Sequence, residues 1–181
     1  MKFKLYDSTN APTDSLPLLE NSVKTFGMIP NLHAVLAESP ETLEAYQLLH
    51  GLFQKTSFDA EELTVVWQTI NVEHECHYCV PAHTAIAYSM NVDPAVINAL
   101  RERAELPSHK LQTLHLTTLA LVRNRGQLSE QQQAAFLAAG YQSRHILEII
   151  LGLAQKVISN YTNHQAETAI DAPFQKFEWK A

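Results

Sequence analysis

The stretch Glu73-His74-Glu75-Cys76-His77-Tyr78-Cys79-Val80-Pro81-Ala82-His83 contains both cysteines of the chain and three of its nine histidines. Two cysteines placed at random in a chain of 181 residues would lie three positions apart in roughly one case in a hundred, so the Cys-x-x-Cys spacing is informative in itself. Thiolates act as nucleophiles and as metal ligands. The stretch therefore indicates thiol chemistry or metal binding.

Pro81 locates the start of a helix within this stretch. Proline lacks an N–H and clashes with the carbonyl four residues earlier, so it is tolerated in the first turn of a helix and costly further in. We therefore expect a helix that begins near His77 to Cys79. Both sulfurs would then lie at or just before a helix N-terminus, where unpaired N–H groups and the helix dipole favour a thiolate.

His83 follows Cys79 by four residues, which places its imidazole one helical turn from the sulfur on the same face. A lone histidine on a helix is usually a surface residue or a satisfied core residue. Here it accompanies a Cys-x-x-Cys pair, and thiol catalysis requires a nucleophile and a base within hydrogen-bond reach. The spacing predicts that His83 takes the proton of Cys79.

Three other interpretations of the stretch stay open. A structural zinc site would draw its ligands from Cys76, Cys79 and His83, with His74, His77 or Glu73 as the fourth. Such sites usually use two separated segments, and no second pair of ligands stands at suitable spacing elsewhere. A static disulfide across three residues would close almost no loop, and two inert buried thiols are the third possibility.

The composition favours one globular helical domain over residues 1–181, with 46% hydrophobic residues, 18% charged residues and only five glycines. A net charge of −6 and a pI near 5.8 argue against nucleic-acid partners and against an anionic membrane surface. No apolar run has the length of a membrane span, and the first residues lack the apolar core of a signal peptide. We therefore expect a cytoplasmic protein, where a Cys-x-x-Cys pair is more often catalytic or metal-binding than a structural crosslink.

Capping signals and apolar periodicity predict an all-α fold, a compact multi-helix bundle preceded by an irregular arm over residues 1–14. Ser15 and Asp59 are expected to cap helices, and no segment alternates with period two. The last helix is expected from Ser143 to about Thr168. Its apolar stripe is predicted to comprise Ile146, Ile149, Ile150, Leu153, Val157 and Tyr161.

Some polar and aromatic residues outside the central stretch also attract attention. The segment Asn160-Tyr161-Thr162-Asn163-His164 favours hydrogen bonding between helices or subunits over active-site chemistry. His115 lies among leucines and is expected to be a satisfied core histidine, whereas Trp67 and Tyr78 are expected to wall a pocket.

The chain resembles the carboxymuconolactone decarboxylase superfamily, and within it the alkylhydroperoxidase D-like branch that includes peroxidase-related proteins. The resemblance rests mainly on the central Cys-x-x-Cys-x-x-x-His pattern. It extends to Phe26-Gly27-Met28-Ile29-Pro30-Asn31-Leu32, Ser39-Pro40-Glu41-Thr42-Leu43 and Asn160-Tyr161-Thr162-Asn163-His164. It implies an all-helical fold and a homo-oligomer, as trimer or hexamer. It also implies reduction of organic or hydrogen peroxide through a dithiol and disulfide cycle, with an external thiol as reductant and no metal or organic cofactor.

By position, the resemblance implies Cys79 as the peroxidatic thiolate, Cys76 as the resolving thiol and His83 as the base. Members of that branch carry a glutamate twelve residues before the first cysteine, where this chain has Thr64. Glu62 would lie on the opposite side of the helix, so Glu73 is the better candidate to orient His83.

A second departure concerns the residue directly before the second cysteine. The best-understood members of the branch carry a histidine there, whereas this chain has Tyr78, with His77 one position earlier. Two alternative functions are a lactone decarboxylase or related acid–base enzyme that shares only the fold, and a non-catalytic redox-sensing or metal-binding protein.

Overall fold

The computed structural model describes residues 2–180, which form nine α-helices and two short 3₁₀-helices without a β-strand. The α-helices are α1 (Leu16–Phe26), α2 (Asn31–Leu36), α3 (Pro40–Phe53), α4 (Ala60–Glu73), α5 (Cys79–Ser89), α6 (Pro94–Glu102), α7 (His109–Arg123), α8 (Glu130–Ala138) and α9 (Ser143–Ala166). The predicted all-α class is confirmed. The single-domain organisation stays a prediction.

Several helices begin where the sequence signals place them. The side chain of Asp59 accepts a hydrogen bond from the Glu62 N–H, and the Glu62 carboxylate accepts one from the Asp59 N–H. Together they form a capping box at α4. The expectation for Ser15 is wrong. Its side chain does not cap α1 but donates from the buried hydroxyl to the Ala37 carbonyl at 2.8 Å, which joins the start of α1 to the end of α2.

Helix α4 forms the centre of the bundle. It packs against α5, α6, α7 and α9 and is buried almost along its whole length, from Glu62 to Val72. A helix buried on all sides must satisfy its polar side chains internally. Gln68 and Asn71 do so partly through α5, because their amides donate to the carbonyls of Val80 and Cys79 at 3.1 and 3.4 Å.

The predicted apolar stripe of α9 is wrong in part. Ile149 is fully buried, but Ile150 and Tyr161 are 44% and 55% exposed. The buried face of α9 continues from Ile149 through polar side chains, among them Gln155 and Lys156, which are 0% exposed. The reason lies in the neighbours of α9: this face packs on α3 and α4 and reaches the cysteines, where polar groups find partners.

The two ends of the chain pack on the bundle differently. Residues 2–12 contain no helix and the 3₁₀-helix Thr13–Ser15 follows them, while Met1 of the expected arm lies outside the described residues. The second 3₁₀-helix, Ala172–Phe177, packs against α5.

Within residues 2–180, no helix combines the length and the apolar character that crossing a membrane requires.

Candidate active site

Helix α5 begins at Cys79, with Tyr78 preceding it, so the predicted helix start near His77 to Cys79 is confirmed. Cys76 lies in the turn between α4 and α5. Its N–H donates to the Asn71 carbonyl at 3.0 Å, and the preceding Glu75 takes a left-handed backbone conformation with φ 52°. Both cysteines are free and buried.

The two sulfurs differ in their electrostatic surroundings. The Cys79 N–H donates to the Cys76 Sγ at 3.3 Å, and the Asn163 side-chain amide donates to the Cys79 Sγ at 3.2 Å. Burial by itself raises the pKa of Cys79. Several groups outweigh burial and lower that pKa to about 5: the side-chain hydrogen bond from the Cys76 thiol, the positive charge of Lys156, and the side chains of Ser159 and Asn163.

Cys76 is the protonated partner of this pair. Its hydrogen bond to Cys79, then its burial and the negative charge on Cys79, raise the pKa of Cys76 well above the usual value of a thiol. At neutral pH the pair therefore holds one thiolate, on Cys79, and one thiol, on Cys76.

Lys156 is the only fully buried lysine among residues 2–180 and lies on the inner face of α9. Its Nζ lies 2.9 Å from the Nε2 of His83. Burial lowers the pKa of Lys156, while the negative charge at Cys79 acts in the opposite direction. A buried ammonium requires a nearby anion, and the Cys79 thiolate meets that requirement.

His83 is buried, and its imidazole packs on the Trp67 ring with 4.8 Å between centroids. Burial lowers the pKa of His83 well below its usual value, and the charge of Lys156 adds to this effect. A neutral imidazole that accepts from the Lys156 ammonium at Nε2 carries its proton on Nδ1. That Nδ1 has no hydrogen-bond partner within residues 2–180.

The expected contact between His83 and Cys79 is therefore replaced by an indirect one. Both side chains line the same cavity, but the hydrogen bond of the His83 ring goes to Lys156, which acts on Cys79 through its charge. The role of His83 as the base stays a prediction.

Glu73 does not orient His83, which corrects the expectation from the sequence. Its carboxylate forms a two-pronged ion pair with Arg123, with Nε–Oε1 and Nη2–Oε2 distances of 2.7 and 2.8 Å. Glu73 is the last residue of α4, and its side chain extends toward α7 instead of toward α5.

Neither Thr64, at the position where the resembled branch carries a glutamate, nor the nearby Glu62 supplies a carboxylate to the site. The Thr64 hydroxyl donates to the Ala60 carbonyl of its own helix at 2.9 Å. The Glu62 carboxylate lies 2.7 Å from the Lys110 ammonium, and it also completes the cap of α4.

A largely apolar cavity of about 270 Å³ opens beside Cys79. Cys79, His83 and Lys156 line it, whereas Cys76 is not among its lining residues. Much of its remaining wall is aromatic, contributed by Phe26, Tyr46, Tyr78 and Phe174. The thiolate can therefore meet an apolar molecule in the cavity while the thiol lies behind it.

Tyr78 lies in the wall of the cavity, as expected, and it also fixes the C-terminal segment. Its hydroxyl donates to the Asp171 carboxylate and accepts from the Leu32 N–H at 3.3 Å. Asp171 also accepts from the Asn31 N–H at 3.0 Å. Trp67 lies one layer behind the cavity, where its indole N–H donates to Gln155 at 2.8 Å.

The remaining histidines of the central stretch turn away from the sulfurs. His74 Nδ1 pairs with Asn160 at 2.9 Å, and His77 Nε2 pairs with the Thr168 carbonyl at 2.9 Å. Within residues 2–180, no three His, Cys, Asp or Glu side chains are grouped so that they could hold a metal ion. The ligand set of the zinc alternative is thus not brought together.

The structure adds Lys156 and Asn163 to the site, and the sequence analysis had missed both in this role. Lys156 follows the buried Ile149 by seven residues, so a lysine on the inner face of α9 was the available signal.

The two asparagines near the end of α9 have different roles. The Asn160 side chain joins α9 to Asn71 of α4 at 3.0 Å, as expected, whereas the Asn163 amide donates to the Cys79 sulfur. His115 has a partner, as expected, in the Thr69 hydroxyl at 2.7 Å, but it is half-buried and does not lie in the core.

Comparison with solved structures identifies the fold. A peroxidase-related protein from Ralstonia eutropha JMP134, described as an alkylhydroperoxidase AhpD core, superposes with a TM-score of 0.82 and 19% identity over 96% of this chain and 93% of the other. A peroxidase-related protein from Silicibacter sp. TM1040 gives a TM-score of 0.75 and 18% identity over 96% and 92% of the two chains. The debrominase Bmp8, in complex with 2,3,4-tribromopyrrole, gives a TM-score of 0.79 and 14% identity over 97% and 94%.

The chain thus has the AhpD-core fold, with a buried dithiol at the start of α5 and an apolar cavity beside it. The resemblance predicted from the sequence is confirmed at the level of the fold. The sequence matches no protein-family model and no curated protein. Proteins with this fold include a debrominase as well as peroxidase-related proteins, so the fold alone does not specify the reaction.

Proposed function

We propose that the protein is a thiol-dependent peroxidase that reduces organic or hydrogen peroxide through the Cys76 and Cys79 pair. The observation that carries this proposal is the difference between the two thiols. Cys79 lines the cavity and has a pKa lowered to about 5, whereas Cys76 lies behind it and stays protonated. A thiolate that a substrate can reach and an adjacent thiol are what a dithiol peroxidase requires.

The reaction proceeds in two steps. The Cys79 thiolate attacks the terminal oxygen of the peroxide and the O–O bond breaks, so that the leaving alkoxide takes a proton and becomes an alcohol, while Cys79 becomes a sulfenic acid. The Cys76 thiol then attacks the Cys79 sulfur, and its proton leaves with the hydroxyl as water. An external thiol returns two electrons to the resulting disulfide.

The proposed partners follow from this cycle. The apolar and aromatic wall of the cavity suits the organic part of an alkyl or aryl hydroperoxide. A cytoplasmic location, which stays a prediction, fits a cycle in which cellular thiols restore the reduced pair.

Single-cysteine variants test the proposal. Cys79→Ser is expected to abolish hydroperoxide consumption, because serine supplies no thiolate. Cys76→Ser is expected to consume about one equivalent and then stop, because the sulfenic acid has no resolving partner. Stopped-flow assays of pre-reduced protein with cumene hydroperoxide, after the dithiothreitol has been removed, would measure the single equivalent. Assays with dithiothreitol present would measure turnover, and undiminished turnover in Cys79→Ser would refute the mechanism.

Reductive debromination is a second candidate, favoured by the aromatic wall around the thiolate and by the likeness to Bmp8. In this reaction two thiols and an aryl bromide would give the debrominated arene, a disulfide and hydrogen bromide. Bromide release from 2,3,4-tribromopyrrole, measured beside hydroperoxide consumption, separates the candidates. Activity on a carboxylated lactone that survives loss of both cysteines would instead favour the acid–base alternative.

If the protein is instead a redox sensor, it should consume peroxide no faster than a free thiol does. In that case, oxidation of the Cys76 and Cys79 pair would change the assembly of the protein without catalytic turnover. Sedimentation of the reduced and oxidised forms distinguishes this outcome from peroxidase activity.

A further inference from the structure

We propose that Lys156 is a catalytic residue that holds Cys79 as the thiolate and donates the proton to the oxygen that leaves from the peroxide. The inference rests on the proposed peroxidase function and deepens it. It assigns a proton transfer to a lysine of α9, because no carboxylic acid among residues 2–180 lines the cavity. The buried Asp171 carboxylate lies behind Tyr78, whose hydroxyl donates to it.

The first argument is the balance of charge around a buried ammonium. Lys156 is 0% exposed, and it forms no ion pair with a carboxylate among the described residues. The titratable groups that face it are Cys79, Cys76 and His83 from α5 and the turn before it, and His50 from α3. Burial keeps both imidazoles neutral near pH 7 by lowering their pKa values, so the Cys79 thiolate is the anion available to balance Lys156.

The second argument is the position of the proton. An ammonium has three N–H donors, and the Lys156 ammonium uses one of them toward His83 Nε2 at 2.9 Å. That is its one hydrogen bond to a protein acceptor within residues 2–180. Lys156 and Cys79 line the same cavity, so a peroxide attacked by the thiolate there meets a donor for its leaving oxygen.

The reaction balances without any other acid. A Cys79 thiolate, a Lys156 ammonium, a Cys76 thiol and a hydroperoxide become a disulfide, a neutral Lys156 amine, an alcohol and water. The two electrons that reduce the peroxide come from the two sulfurs. The proton on the alcohol oxygen comes from Lys156.

The environment drives this proton transfer in the required direction. Burial lowers the pKa of Lys156, which makes its ammonium a stronger acid than a lysine in water. As the O–O bond breaks, Cys79 loses the negative charge that stabilises the ammonium, so loss of the proton becomes more favourable. His83, hydrogen-bonded to the same Nζ, holds the amine in place during the transfer.

The test separates the two roles of Lys156 by changing the leaving group. The thiolate fraction of Cys79 is measured from its ultraviolet absorbance across pH in the native protein, in Lys156→Met and in the exposed control Lys55→Met. Oxidation rates are then measured with tert-butyl hydroperoxide, whose alkoxide leaves poorly, and with peracetic acid, whose carboxylate leaves without a proton. Each rate is divided by the thiolate fraction at that pH.

We expect Lys156→Met to raise the pKa of Cys79 by about 1 to 3 units. Per thiolate, we expect its rate with tert-butyl hydroperoxide to fall about 100-fold and its rate with peracetic acid to change little. Lys55→Met should match the native protein in both assays. Lys156→Gln, which keeps an N–H donor toward His83 without an acidic proton, should show the same difference between the oxidants, and it replaces Lys156→Met if that variant does not fold.

The possible failures are distinguishable. Equal rates per thiolate in the native and variant proteins, or an equal loss with both oxidants, would overturn the role of Lys156 while leaving the peroxidase function in place. A native protein that oxidises no faster than a free thiol with tert-butyl hydroperoxide would overturn the proposed function, and with it this inference.

Discussion

Cys79 owes its thiolate character to groups from distant parts of the chain. Cys76 precedes it by three residues, whereas Lys156 and Asn163 come from α9, about eighty positions later in the sequence. Burial opposes the charge on the sulfur, so these groups must outweigh desolvation before any shift favours the thiolate. The reactivity of this one residue thus depends on the packing of α5 against α9.

The lowered pKa predicts the pH dependence of the reaction. An isolated thiol has a pKa of about 8.5, whereas the pKa of Cys79 is lowered to about 5. Oxidation should therefore be nearly independent of pH from about 6 to 8 and fall about tenfold per unit as Cys79 becomes protonated below 5. Stopped-flow rates and thiolate absorbance should yield the same apparent pKa.

Cys76→Ser assigns the measured value, because it leaves Cys79 as the one titrating thiol and keeps a hydroxyl donor in place of the Cys76 thiol. An apparent pKa near 8.5 in both the native protein and this variant would contradict an activated Cys79.

At the scale of elements, the contact between α3 and α9 is unusually close at Gly152. A Cβ added there would lie 2.7 Å from the Cε2 of Phe53, a side chain that is fully buried. This approach brings the inner face of α9, with Lys156 one turn further along, against the core. The absence of a side chain at position 152 therefore helps to position the catalytic lysine.

Gly152→Ala should consequently lower the free energy of unfolding by about 1 to 3 kcal/mol, because the core around Phe53 must shift to accept the methyl group. Gly51→Ala is the matched control. A Cβ at Gly51 would meet nothing within 4 Å, so alanine should stabilise α3 by about 0.5 to 1 kcal/mol. Urea unfolding measures both, and equal effects would show that the close contact does not control packing here.

The C-terminal 3₁₀-helix forms one wall of the cavity, since Pro173 and Phe174 line it. It is fixed to the bundle through Asp171, which accepts hydrogen bonds from the Tyr78 hydroxyl and the Asn31 N–H. Tyr78, the residue directly before Cys79, thus connects the start of α5 to the segment that forms this wall of the cavity.

Tyr78→Phe should loosen this wall. Loss of the hydroxyl leaves the Asp171 carboxylate with fewer partners, which should lower stability by about 1 to 3 kcal/mol. We expect faster amide hydrogen exchange over residues 172–177 and a higher KM for a bulky hydroperoxide. Tyr161→Phe, at a position 55% exposed, is the control, and unchanged exchange in Tyr78→Phe would contradict the anchoring role.

At the scale of the whole molecule, the resemblance predicts a trimer or hexamer. With a chain mass of 20.3 kDa, sedimentation equilibrium should find three or six times that value at micromolar concentration. A monomer over the full concentration range would contradict this prediction.

Much of the fold could be predicted from local signals. The caps at Asp59 and Ser129 and the first-turn proline after Cys79 depend on neighbours within four residues, so the sequence contains the whole signal. The site was harder to predict. Glu73 is close to the cysteines in sequence, but its partner is Arg123, and only packing decides between a site residue and a surface ion pair.

The sequence by itself determined the helical class, the three-residue spacing of the two cysteines and their place at the start of a helix. These follow from periodicity, capping and spacing along the chain. Only the tertiary structure decided which groups surround the sulfur. It brings a buried lysine and an asparagine of α9 to Cys79, turns His83 toward that lysine, and leaves Glu73 on the outside. The physical reason is that the charge on a buried thiolate is set by contacts between helices, which no local pattern records.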